Sequence, residues 1–411
     1  MSVILIKNIK ELLQTQQGDQ LVRGKEMSNL PSIKNAFLLI KNERIADFGS
    51  MDRVPERAEQ EIDATGKFVF PSFCDSHTHL VFAASREGEF VDRIKGLSYE
   101  EIAARGGGIL NSAQKLQKAD EQELFEQTQE RLEEAVQFGT GAIEIKSGYG
   151  LTLESELKML RVIRMLKEKS DVIIKSTFLG AHSIPMEFRS NRKAYLDLVL
   201  NRMLPQIVEE GLADYIDVFC EKVAFSVEET ARILEAGAKY GLPAKIHTNQ
   251  FYSLGGIETA VKFGAKSVDH LEVMTNEEIE ILKKSETIPT LLPTAPFFLN
   301  QDHTPPARKM IDGGLGIALA TDFNPGTTPS PKMPFVISLG CIKLRMLPEE
   351  TINATTINGA VAMDVEKEVG SIAKGKIANI FITKKMPSLN YFPYAFGSNL
   401  IEKVILRGRI V

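Results

Sequence analysis

Six histidines are spread through the 411 residues, at positions 77, 79, 182, 247, 270 and 303. Two of them lie in DSHTH (75–79). In an extended chain residues i and i+2 point the same way, so His77 and His79 can offer both imidazoles to one metal ion. Alone, an HxH is a weak signal. It gains weight from His247, which closes the run PAKIH, and from Asp322, which closes LGIALATD. Three nitrogens and one carboxylate suit zinc and ferrous iron alike, and leave a position open for water. Coordinated water is nucleophilic near neutral pH, so the set points to metal-dependent hydrolysis. His270, which closes KSVDH, falls between the His247 run and Asp322 along the chain. It is the natural partner for that water or for an oxyanion. Asp322 has a second task available, because a ligand carboxylate keeps one oxygen for moving a proton.

These residues need a frame that brings them to one place. Eight β-branched runs supply the strands: KFVFPSFCDSH (67–77), GAIEIKS (141–147), DVIIKSTFLGAH (171–182), YIDVFCE (215–221), PAKIH (243–247), KSVDH (266–270), TIPTLLP (287–293) and LGIALATD (315–322). Between most of them lie segments such as LESELKMLRVIRMLKEKS, with apolar residues recurring at three and four, as an amphipathic helix requires. Eight strands alternating with helices over about 250 residues predict a TIM-type (β/α)8 barrel, with a doubly wound sheet as the alternative. Five of the six histidines fall at or just past the C-terminal end of one of these runs, the face on which barrel active sites are built. Histidines satisfied by core carbonyls would have no reason to gather there.

The two ends of the chain differ from the middle. AFLLIKNERIADFG, ANIFITK and EKVILRGRIV are short strand-like runs punctuated by turns. Neither end can bury much core alone. Residues 1–66 and 366–411 are therefore expected to combine into one small β-sandwich domain beside a barrel at 67–365. The interval 80–140 is longer than a usual crossover, and its SYEEIAARGGGIL stretch reads as a loop or lid near the site.

Composition narrows the classes. Hydrophobic residues make up 43% and charged residues 25%, ordinary for a globular protein. Lys and Arg number 49 against 54 Asp and Glu, a net charge of -5 with no basic block, so a nucleic-acid partner is not expected. No apolar run approaches the ~20 residues of a membrane span. The first residues, MSVILIKNIKELLQTQQ, lack the pattern of a secretion signal, and Cys74, Cys220 and Cys341 form no CxxC. The cytoplasm is the expected compartment.

Polar side chains suited to a substrate collect on the same face: Arg86, Tyr99, Tyr149, His182, Glu221, Gln250 and Asn324. A guanidinium shortly after the HTH pair fits a planar carboxylate. The NPGTTP stretch (324–329) is suited to presenting backbone groups to a ligand. Lys222, near the end of the fourth run, raises a two-metal alternative bridged by a modified lysine, but strand alternation opposes Glu221 and Lys222.

With these residues in view, the sequence resembles the imidazolonepropionases of the amidohydrolase superfamily. The motifs that carry the resemblance are PSFCDSHTHLVFAASREGEFVDRIKGLSYEEIAARGGGI (71–109), EIKSGYGL (144–151), FLGAH (178–182), DVFCE (217–221), KIHTNQ (245–250), SVDHLE (267–272) and LATDFNPGTTP (319–329). They span most of the barrel, and their order is specific. The resemblance implies a barrel with a β-sandwich from both chain ends, and one zinc or iron ion held by His77, His79, His247 and Asp322. It also implies hydrolysis of 4-imidazolone-5-propanoate to N-formimidoyl-L-glutamate in histidine degradation, and a homodimer. Arg86, Tyr149 and His182 fall on the family's substrate positions, and Asn324, Gly326 and Thr327 on its product-contacting ones. Position 249 is commonly acidic in the family and position 250 is glutamate in some members; this chain has Asn249 and Gln250. An amide cannot serve as a general base, which leaves proton handling to His270 and Asp322, with Gln250 as a binding residue. A deaminase of the same superfamily and a barrel kept as a binding module are the rival readings. Release of ammonia separates the first, and failure to bind a divalent metal the second.

Overall fold

The structure is a computed structural model and describes all residues except 1–2, 16–17, 56–57, 98–100, 103–104 and 106. Tyr99 and part of the glycine-rich stretch therefore lie outside the described residues.

Two eight-stranded sheets make the frame. The first joins β1 (Val3–Leu13), β2 (Ser32–Lys41), β3 (Arg44–Ser50), β4 (Gln60–Asp63) and β5 (Phe68–Pro71) to β14 (Ile380–Thr383), β15 (Ile401–Leu406) and β16 (Arg409–Ile410). Its order is β16-β15-β14-β5-β1-β2-β3, with β4 paired to β1. The chain ends do combine: β14 runs antiparallel to β5, with Phe381 opposite Phe70. Period-2 alternation puts Ile4, Ile6, Leu38, Ile40, Ile380 and Ile405 into a separate aliphatic core, so this sheet forms the β-sandwich expected from the sequence.

The second sheet contains β6 (Phe73–Thr78), β7 (Thr140–Lys146), β8 (Ile173–Ala181), β9 (Tyr215–Cys220), β10 (Ala244–Thr248), β11 (Ser267–His270), β12 (Ile288–Leu291) and β13 (Ala318–Leu319), in chain order and all parallel. All seven residues of β7 and all six of β9 are buried, as strands covered on both faces must be. Side-chain caps set where the outer helices begin. Thr152 accepts from Ser155 N at the start of Leu153–Lys169, and Ser226 with Glu229 forms a capping box on Val227–Lys239. The ring closes beyond β13: Asp322 N donates to His77 O at 3.0 Å and His79 N to Phe323 O at 2.8 Å. Asp75 adds two bonds across the seam, from Thr321 N and Thr321 Oγ1. The fold is a (β/α)8 barrel with an auxiliary β-sandwich.

One predicted run divides. The stretch 67–77 is two strands, because β5 belongs to the sandwich and β6 to the barrel, with Ser72 between them. Asn379 fastens that junction: its carbonyl accepts from Ser72 N, and its side chain donates to Gly141 O. The long interval after β6 contains the helices Glu87–Ile94, Ile109–Lys118 and Glu121–Gln137.

Candidate metal centre and substrate cavity

β6 with the residue after it, β10, β11 and the turn after β13 deliver five side chains to the C-terminal mouth of the barrel: His77, His79, His247, His270 and Asp322. The ring centroids of His77 and His247 are 4.4 Å apart, and those of His77 and His79 5.3 Å. Nε2 of His247 lies 3.4 Å from Nε2 of His79, and Asp322 Oδ1 is 3.5 Å from His77 Nε2 and 3.7 Å from His79 Nε2. His77, His79 and His247 offer ligand atoms within 4.8 Å of one another, and so do His77, His270 and Asp322. The site is suited to a divalent metal ion. His77 Nε2 is buried without a hydrogen-bond partner among the described residues, an orphan that a cation would satisfy. Burial drives the pKa of His77 and His79 well below the usual histidine value, with neighbouring cationic groups adding to it. Both rings are neutral at pH 7, as metal ligands must be.

The backs of two of these rings meet carboxylates. His77 Nδ1 is 2.6 Å from Asp269 Oδ2, in hydrogen-bond geometry. His247 Nδ1 is 3.0 Å from Asp217 Oδ2, at an angle that falls outside it. Carboxylates placed like this fix the tautomer and orientation of a ligand imidazole. His270 has Glu272 behind it, with Oε1 3.5 Å from Nδ1. Burial is the largest influence on His270 and pulls its pKa down, but Glu272, Asp322 and Asp269 together outweigh it and lift the ring to about 9. For Asp322, burial dominates and raises the carboxyl above the usual range.

Left-handed backbone occurs at four positions around this mouth. Asn249, His270, Leu271 and Asp322 all have positive φ, at 56°, 87°, 68° and 57°. Each costs of order 1–3 kcal/mol, and such residues cluster at functional sites.

The cavity above the ligands is lined by His79, Arg86, Tyr149, His182, Gln250 and Thr327, with Ile109, Phe219, Phe251, His247, His270, Asp322 and Asn324 completing its wall. His182 stacks on His79 at 5.3 Å and approaches Gly148 O at 3.1 Å. Gly148 is required there: its φ is +106°, and a Cβ would lie 2.8 Å from Leu179 O and 2.9 Å from His182 Nδ1. Glu156 gathers the backbone N–H groups of Gly148, Gly150 and Leu151, which sets the turn that carries Tyr149. Arg86 is buried and donates through Nε and Nη2 to Glu89 Oε2, at 2.9 and 2.5 Å. Its Nη1 passes so close to Gly326 that a Cβ there would lie 2.2 Å away. Asn324 holds its own loop, accepting from Gly326 N and Thr327 N, while Thr327 Oγ1 donates to Asp322 Oδ2 at 3.0 Å.

Two polar residues face elsewhere. Glu221 Oε1 accepts from Phe251 N and Tyr252 N, bracing the loop after β10. Asn249 donates to Glu278 and Val273 O, away from the cavity. Lys222 is exposed, with its ammonium over the Tyr252 ring. The profile of the amidohydrolase family matches residues 68–411. An imidazolonepropionase of Flavobacterium johnsoniae is 58% identical over 411 residues, covering 100% of both chains. One of Christiangramia forsetii is 57% identical over 410 residues, 99% of this chain and 100% of the relative. The chain belongs to the imidazolonepropionases of the amidohydrolase family.

Among solved structures, a triazine hydrolase variant aligns over 99% of this chain and 94% of its own with a TM-score of 0.74 at 14% identity, a likeness of fold alone. Against the imidazolonepropionase motifs, sequence reasoning missed Asp217 and Asp269, although DVFCE and SVDHLE contain them. It also missed Glu89, whose tie to Arg86 is an i,i+3 pair between the N-cap and the first turn of the helix Glu87–Ile94. No helix among the described residues is long and apolar enough to cross a membrane.

Proposed function

We propose that this protein hydrolyses the ring C–N amide bond of 4-imidazolone-5-propanoate to N-formimidoyl-L-glutamate, using one zinc or iron ion per chain held by His77, His79, His247 and Asp322. The observation that carries the reading is the convergence of three imidazole Nε2 atoms and Asp322 Oδ1 at the barrel mouth. A divalent ion there supplies a Lewis acid that lowers the pKa of water and polarises a carbonyl.

The residues divide the remaining work. Asp322 turns Oδ1 to the ligand histidines and Oδ2 to Thr327, so it is placed to take a proton from the attacking water and pass it to the leaving ring nitrogen. His270 offers a ring nitrogen within 4.8 Å of Asp322 and stabilises the oxyanion as the carbonyl becomes tetrahedral. Gln250, an amide, binds the ring and takes no proton. Arg86 receives the propionate, with Tyr149 and His182 beside it; Asn324, Gly326 and Thr327 shape the floor that the product leaves. The same reading extends to a cytoplasmic homodimer, supported by the resemblance to the family, and light scattering checks the dimer.

The test is incubation of metal-analysed protein with freshly generated imidazolonepropionate. Loss of its ultraviolet absorbance with formation of formimidoyl-glutamate and no ammonia is expected. Ammonia release, two tightly held ions per chain, or full activity after exhaustive chelation would overturn the scheme.

A further inference from the structure

Beneath the candidate ligands the barrel axis holds Glu144, Lys146, Asp217, Lys245 and Asp269, none more than 1% exposed. Charges taken out of water this completely persist only when paired, and a hydrophobic filling is often as stable. The cluster therefore calls for a purpose beyond packing. Its two lysines are not equivalent. Lys245 Nζ bonds Glu144 Oε2. Lys146 Nζ reaches three carboxylates: Glu144 Oε1 at 2.6 Å, Asp217 Oδ2 at 2.8 Å and Asp269 Oδ2 at 3.5 Å.

Two of those three oxygens are the ones that stand behind the ligand-type histidines. Asp269 Oδ2 also meets His77 Nδ1, and Asp217 Oδ2 also faces His247 Nδ1. One ammonium thus ties together both orienting carboxylates. Asp217, His247 and Asp269 also offer three ligand atoms within 4.8 Å of one another, a grouping able to hold a cation of its own. The cation already standing against two of them is Lys146.

We propose that Lys146 is a positioning residue for the metal centre: its ammonium holds Asp217 and Asp269 behind His247 and His77, in the place a second metal ion would otherwise take. The proposal rests on the reading of His77 and His247 as ligands. It accounts for a cluster rich in carboxylates serving a single ion, because the second positive charge is built into β7. It also explains why Glu144 and Lys146 occur two apart on that strand: Glu144 joins the two lysines, and Lys146 faces the ligand-bearing strands.

The test measures metal affinity of the full-length protein, stripped of metal, by competition with a chromophoric chelator for zinc. Lys146→Met keeps the length of the side chain and removes its charge, and it should weaken zinc binding by about 10- to 100-fold, the usual size for loss of a group that orients a ligand. Lys146→Gln, which keeps a donor without the charge, should also weaken it and serves if the methionine variant does not fold. Lys245→Met removes an equally buried charge that forms no ion pair with Asp217 or Asp269; it should lower the melting temperature and weaken zinc binding far less than Lys146→Met. Equal losses in the Lys146 and Lys245 variants would reduce Lys146 to a packing role and overturn the proposal. Unchanged affinity in a folded Lys146 variant would overturn it as well, while the ligand reading stood. Failure of the wild type itself to bind zinc would bring down both.

Discussion

The chain builds two eight-stranded sheets and fills them in opposite ways. The sandwich interior is a set of aliphatic side chains, among them Ile4, Ile6, Leu38, Ile40, Ile380 and Ile405. The barrel axis, equally buried, holds Asp75, Glu144, Lys146, Asp217, Lys245 and Asp269 below four histidines and Asp322. Strand count and burial are alike, so neither explains the contrast. The sandwich has only to be stable, and shape complementarity among methyl groups does that. The barrel has to hold ionisable groups at fixed distances. Its walls remain apolar toward the helices, and its axis is occupied by paired charge.

Substitutions can break or sharpen this contrast. Asp322→Asn strikes the barrel hardest, since an amide is both a poorer ligand and unable to move a proton; kcat should fall by about 10³-fold or more, and elemental analysis should show lost metal. His270→Ala should cost about 10²-fold in kcat while the metal content stays at the wild-type level. A mild His270→Ala with a severe Gln250→Ala would show the roles to be reversed.

Arg86→Ala should lower kcat/KM by about 30-fold, the low end for losing one partner of a desolvated charge pair, because Glu89 already shares the guanidinium. A substrate analogue lacking the carboxylate should be handled equally poorly by wild type and variant. Equal damage on both substrates would assign Arg86 to loop organisation through Glu89 and Gly326. In the sandwich, Ile40→Ala should cost about 2–5 kcal/mol of stability by opening a cavity. Its kcat/KM well below the melting temperature should match the wild type, and a drop in activity there would mean that the two sheets are not energetically separate.

The eight barrel strands were legible because each is a β-branched run ending in a turn, and the ligand-type residues because they sit where those runs stop. What stayed hidden depended on registration between strands. Asp217 and Asp269 read as ordinary acidic residues until β9, β10 and β11 are aligned, which brings His247 beside Phe219 and Asp269. The division at Ser72 was invisible because FVFP and FCDSHT are both buried on every residue, and a uniform run carries no mark of the sheet it joins. Glu221 and Asn249 were legible as polar residues at strand ends, but not in direction: each turns to brace a neighbouring loop or helix. Gln250 does line the cavity.

The antiparallel pairing of β5 with β14 has a consequence for the order in which the molecule is completed. β5 ends one residue before the strand that carries His77, and its partner β14 begins more than 300 residues later. A chain growing from its N-terminus therefore presents the first barrel strand long before the segment that anchors its root exists. Contacts so distant in sequence form late and slow the final assembly. Until residues 379–383 have emerged, the Ser72 N–H lacks its Asn379 partner and β5 has one edge open. The nascent barrel is then a species with an exposed strand edge, of the kind that invites aggregation during synthesis.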